Sequence, residues 1–142
     1  MTKTVYIIAA RYDDNEWYNI YYTSETLEDA KKHWKGSLKA FFSDGPDDCT
    51  VLKLVECKFD EKQFAEFHEH FKECAKDTEY MYNEDFTEFM KKYFHEQGKE
   101  ICFEDCSGSL EIIAEAEDNN QDPNDSKVFT KLFNKYYNLH YI

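Results

Sequence analysis

Residues 50–75 read TVLKLVECKFDEKQFAEFHEHFKECA, and within this stretch one hydrophobic period gives way to another. From Thr50 to Phe59 the chain is β-branched and apolar, the composition of a strand. Asp60 and Gln63 then stand at capping-box spacing, with Phe59 and Phe64 at the two hydrophobic-staple positions. Phe64, Phe67, Phe71, Cys74 and Ala75 continue as one apolar helical face. A strand that runs straight into a capped helix points to an α+β or α/β architecture.

The elements on either side choose between the two. Upstream, Val5–Tyr12 and Trp17–Thr23 are rich in β-branched and aromatic residues and read as strands, joined by the polar turn Asp13-Asp14-Asn15-Glu16. Ser24 is placed as an N-cap, and Leu27, Ala30, Trp34, Leu38 and Phe41 recur at helical spacing, predicting a helix over 25–42 that Asp44-Gly45-Pro46 stops. Downstream, Asn83 caps a third helix whose stripe is Phe86, Phe89, Met90, Tyr93 and Phe94, with Gly98 at the C′ position. From Glu100 the period appears as two. Ile101 and Phe103 alternate with polar residues, 105–109 holds a glycine turn, and Leu110, Ile112, Ala114 and Ala116 would line one face of a strand. This predicts a second hairpin, followed by a polar loop over 117–125 and a last helix over 127–138 with Val128, Phe129, Leu132, Phe133 and Tyr136 inward. The expected order is β-β-α-β-α-α-β-β-α, a single α+β domain over 1–142 with about four helices on an antiparallel or mixed sheet.

Composition supports a folded core. Of 142 residues, 42% are hydrophobic and 18% aromatic, with 12 Phe and 11 Tyr, so few side chains can bury a large area. The apolar run Thr4–Ala10 is too short to cross a bilayer. Five cysteines (Cys49, Cys57, Cys74, Cys102, Cys106) fall mostly in periodic apolar segments, which suggests free thiols and a cytoplasmic setting.

The net charge of −13 argues against direct binding to nucleic acid or anionic lipid, and it is unevenly spread. Residues 1–76 form a near-neutral scaffold half, with 15 acidic and 11 basic side chains. Residues 77–125 have 15 acidic side chains against Lys91, Lys92 and Lys99, a net of −12, and residues 126–142 return +3. Glu84, Asp85 and Glu88 open the third helix, Glu104 and Asp105 sit at the turn, and Glu111, Glu115 and Glu117 would form an outward row leading to Asp118. If hairpin and helix lay side by side, these carboxylates would make one continuous negative surface. Tyr80 and Tyr82, inside this block, are the aromatic candidates for an interface. Lys127, Lys131 and Lys135 form the opposite, a basic stripe on the last helix that could pair with an acidic patch of a second copy.

Motifs for chemistry are weak by comparison. His70, Cys74, Cys102 and Cys106 could supply four zinc ligands, but their spacings are loose and Cys74 also fits an apolar stripe. Cys106-Ser107-Gly108-Ser109 could hold a nucleophile if His70 or His95 approached it. Phosphate-cradling glycine motifs are absent, and no cofactor is implied. The expectation is therefore a non-enzymatic inhibitor whose acidic surface covers a basic, nucleic-acid-binding groove of a target protein. In physical type the chain is similar to phage-encoded host-takeover proteins, including anti-CRISPR proteins, and to the acidic immunity proteins that neutralise nuclease toxins. Those classes share no motif, and no residue role follows from the likeness. The alternatives are a small zinc- or ligand-binding protein and a structural or assembly component.

Overall fold

Among the described residues four strands form one sheet: β1 (Lys3–Tyr12), β2 (Trp17–Ser24), β3 (Val51–Phe59) and β4 (Lys99–Asp105). Their order is β2-β1-β3-β4 and every pairing is antiparallel. The structure, a computed structural model, describes residues 2–12, 17–43, 51–105 and 107–137. The expected turn at 13–16 and the helix stop at 44–46 lie outside them.

The middle of the sheet is dictated by β1. Val5 and the four successive residues Ile7, Ile8, Ala9 and Ala10 are all buried, which happens only when both faces of a strand are covered. Side chains alternate across the pleat, so Val5, Ile7 and Ala9 enter one core while Ile8 and Ala10 enter the other. On β3, Val55, Cys57 and Phe59 join the first set and Leu52 and Leu54 the second. Each outer strand carries an irregularity in its register, at Ile8/Ala9 opposite β2 and at Leu54/Val55 opposite β4. As a result the consecutive pairs Tyr21/Tyr22 and Ile101/Cys102 both pack against the same core.

Helices cover both faces. On the Ile8 side lie α1 (Leu27–Ser43), α4 (Ser107–Asp118) and α5 (Ser126–Tyr137), which supply Trp34, Phe41, Ile112, Ala116 and Phe133. On the Ile7 side lie α2 (Glu61–Lys76), a 3₁₀ turn (Thr78–Tyr82), and α3 (Glu84–Met90), which runs on into a π-helical turn (Lys91–Glu96).

Local signals explain most boundaries. The Asp60 capping box forms in both directions, with Gln63 N–H donating to Asp60 Oδ1 at 2.8 Å and Asp60 N–H to Gln63 Oε1 at 2.9 Å. Asn83 caps α3 through Phe86 N–H at 3.0 Å. The cap of α1 is Thr26, not Ser24: Asp29 N–H donates to Thr26 Oγ1, while Ser24 Oγ receives Thr26 N–H one step earlier. Gly98 follows the π turn for reasons of space. A Cβ there would lie 2.2 Å from Val55 Cγ1 and 2.6 Å from the Phe94 carbonyl oxygen.

The α+β class and the antiparallel sheet agree with the sequence reading, but the described residues form five helices where about four were expected. Leu110–Ala116 is the middle of helix α4, not the second strand of a hairpin. Ser109, Ile112 and Ala116 face inward at helical spacing, while Leu110 and Ala114 are exposed. Leu, Ala and Glu are helix formers, and that preference outweighs the apparent alternation. The helix ends in a Schellman motif: Gln121 N–H reaches Ala116 O at 2.8 Å, Asn120 N–H reaches Glu117 O at 3.0 Å, and Asn120 takes φ 56°. Asp125 then caps α5 through Lys127 and Val128 N–H. Much of the expected polar loop is thus helix end and helix cap.

Candidate functional site

The expected continuous acidic surface does not assemble. Glu84, Asp85 and Glu88 lie with α3 on one face of the sheet, whereas Glu111, Glu115, Glu117 and Asp118 lie with α4 on the other. Glu104 and Asp105 end the edge strand β4 that separates them.

On the α4 side the acids are among lysines. Helices α1, α4 and α5 together carry seven lysines and six carboxylates. Lys135 on α5 donates a short hydrogen bond to Glu115 on α4, and that bond holds the lysine above its ordinary pKa. Glu115 thus points into the α4–α5 contact and not outward, and Lys135 already has an intramolecular partner. Tyr22 OH donates to Asp29 Oδ2 at 2.5 Å and holds that carboxyl below its usual range, aided by a hydrogen bond from Ser24. The Tyr22 ring also stacks on His33 with centroids 3.8 Å apart.

The opposite layer is different. Residues 61–96 carry ten carboxylates and five lysines, a net of −5. Between α2 and α3 is an open cleft of ≈ 570 Å³. Glu66, Glu69 and Glu73 line it from α2, at three- and four-residue steps that put them on one helix face. Asp85 and Glu88 line it from α3, and among the described residues Lys92 is the one lysine along its walls. The π turn that carries Lys92 also brings in Tyr93, whose hydroxyl accepts from Gln63 Nε2 at 3.1 Å. Two of the α2 acids have lysines on their own helix, Glu69 with Lys72 and Glu73 with Lys76, both at 3.7 Å. Exposed pairs of that kind neutralise little of the local potential.

His70 forms the floor. It is 7% exposed, between Phe86 and Phe89 with ring centroids 5.7 and 5.2 Å away. Its Nδ1 is 2.8 Å from Tyr80 OH. Among the described residues its Nε2 has no hydrogen-bond partner, and the carboxylate oxygen of Glu66, Oε1, is 3.8 Å away. Tyr80, one of the two expected interface tyrosines, is packed here on Phe86, and burial raises its phenol pKa, with Cys74, Glu73 and Asp85 adding to the effect. Tyr82 is 52% exposed and meets Trp17 edge-on at 4.3 Å.

The sheet also separates the expected zinc ligands. His70 and Cys74 belong to the α2 layer, Cys102 packs against the opposite core, and Cys106 lies outside the described residues. Among the described residues no group of three His, Cys, Asp or Glu side chains is placed to hold a metal ion. Burial pushes the Cys57 thiol up to about 12 and the Cys74 thiol up to about 11, which leaves both protonated and unreactive at neutral pH. Nor does Ser109 serve as a nucleophile. Its hydroxyl is buried and donates to Phe42 O at 3.0 Å, fastening the start of α4 to the end of α1. His70 and His95 lie in the other layer.

Sequence reasoning missed Glu66, Glu69 and Glu73 because they fall in the half of the chain whose charge is nearly balanced. Their spacing was the available signal. Comparison with protein-family models, with curated proteins and with solved structures finds no match. No helix among the described residues is long and apolar enough to cross a membrane.

Proposed function

We propose that the protein works without catalysis, as an inhibitor that covers a basic, nucleic-acid-binding groove of a target protein with its α2/α3 layer. The observation that supports this is the convergence of five carboxylates from two helices on one cleft that, among the described residues, contains a single lysine. Neutralising those charges with basic groups of a partner removes their mutual repulsion. It also steers association from a distance, while each exposed pair alone contributes at most about 1 kcal/mol. Glu84 and the exposed Tyr82 extend the surface beyond the cleft. The physical type is that of host-takeover and nuclease-immunity proteins, whose targets handle nucleic acid.

The test is partner capture from a plausible host lysate at low salt, elution at high salt, and competition on the purified partner. The expected partner is a basic nucleic-acid-binding protein whose nucleic acid is displaced by this chain. Reversing Glu69, Glu73, Asp85 and Glu88 to Lys is expected to abolish capture. Undiminished capture by that variant, or simultaneous binding of nucleic acid and this protein, would sink the proposal.

A further inference from the structure

We infer that the α2/α3 cleft is a binding site for a guanidinium group, delivered as an arginine side chain of the partner. The inference rests on the proposed role of this layer as a partner-binding surface, and it names the chemistry of the contact.

Two independent observations meet here. The first is the set of carboxylates from α2 and α3, acceptors on opposite walls of one cleft. The second is His70, more than nine-tenths buried on the same cleft, with a ring nitrogen that no group among the described residues satisfies. A buried polar atom without a partner costs about 1–3 kcal/mol, so its persistence calls for an explanation. When Nδ1 donates to Tyr80 OH, Nε2 presents a lone pair, and the floor accepts hydrogen bonds as the walls do. The carboxylate beside Nε2 is that of the half-exposed Glu66, 3.8 Å away on the same cleft.

A cleft with five carboxylates against one lysine among its described lining residues favours a ligand that only donates. Guanidinium has five N–H donors in a plane, sheds water more readily than an ammonium, and stacks on aromatic faces. Tyr93, partly exposed, supplies such a face, with the buried Phe89 packed against it at 4.7 Å between ring centroids. A lysine ammonium would gain the charge term but little from stacking. A metal ion is disfavoured by the absence, among the described residues, of any three-ligand group.

The experiment is a titration of the full chain, ¹⁵N-labelled at histidine, with hexa-arginine, hexa-lysine and spermidine. Hexa-arginine is expected to bind about two- to fivefold tighter than hexa-lysine. It should also shift His70 Nε2 to the value of an unprotonated nitrogen that accepts a hydrogen bond. The variant Asp85→Asn/Glu88→Gln alters exposed side chains only, and is expected to weaken hexa-arginine about tenfold. An unmoved His70 resonance, equal affinity for the lysine peptide or spermidine, or undiminished binding by the variant would each overturn the guanidinium site. If a basic partner is still captured and released by salt in that event, the inhibitor reading stands without it. Loss of partner capture as well would remove both.

Discussion

The two helical layers face the same sheet with similar cores and opposite treatments of charge. In the α1/α4/α5 layer lysines and carboxylates are close to equal in number, and Glu115 and Asp29 are engaged by Lys135 and Tyr22. In the α2/α3 layer carboxylates outnumber lysines two to one and several converge on one cleft. Acid density along the chain therefore misleads. A carboxylate that is paired within the molecule serves the fold, whereas one held among its own kind carries repulsion that a partner can relieve.

Four changes can break or sharpen this contrast. The largest effect is expected from Phe59→Ala. Its ring lies beneath the acidic layer, with centroids 5.4 Å from Phe67 and 5.6 Å from Phe89, and its loss should cost about 3–5 kcal/mol in urea unfolding. Trp34→Ala should cost a similar amount in the opposite layer, since both are fully buried. A loss below about 1 kcal/mol for Phe59→Ala would mean that the acidic layer is not docked on the sheet as described.

Gly98→Ala comes next, at about 1–3 kcal/mol, because the new methyl collides with Val55 and with the Phe94 carbonyl where the acidic layer joins β4. Wild-type stability in this variant would place the π turn elsewhere.

The third test compares losses. Neutralising Glu88 by Glu88→Gln removes repulsion from Glu84 and Asp85 together with attraction to Lys91 and Lys92 on the next turn, so stability should stay within about 0.5 kcal/mol of wild type. Neutralising Glu115 by Glu115→Gln removes the Lys135 partner, and should lower the melting temperature. Equal losses in the two variants would erase the distinction between the layers.

The smallest effect concerns pH. Tyr22 holds the Asp29 pKa below its ordinary value, so this contribution is complete above about pH 4 and is lost as pH falls through the lower, folded value. Tyr22→Phe should therefore be less stable than wild type at neutral pH, and the gap should close in acid. A gap that widens as pH falls would show that the hydrogen bond does not favour the ionised carboxyl.

How much of this was legible depended on whether the physics is local. The Asp60 capping box, the Asn83 cap and the inward stripe of α5 are set by neighbours in sequence, and the structure reproduces them. Two further local signals were present and were not read in full. The run Val5–Ala10 already implied a strand covered on both faces, and the helix formers of LEIIAEA, followed by Asn119-Asn120, implied a capped helix. Strand order and the facing of α2 with α3 arise from long-range packing and leave no local trace. That is why Glu66 and Asp85 were assigned to different halves of the molecule although they line one cleft.

The most direct test removes two charges from each layer and compares the effect on a basic probe. Binding of hexa-arginine would be measured for Asp85→Asn/Glu88→Gln and for Glu111→Gln/Glu117→Gln, which leave the same net charge. The first pair is expected to weaken binding about tenfold and to flatten its salt dependence, while the second stays within about twofold of wild type. Equal losses in the two variants would show that only total charge matters, and would contradict the assignment of the acidic interface to α2 and α3.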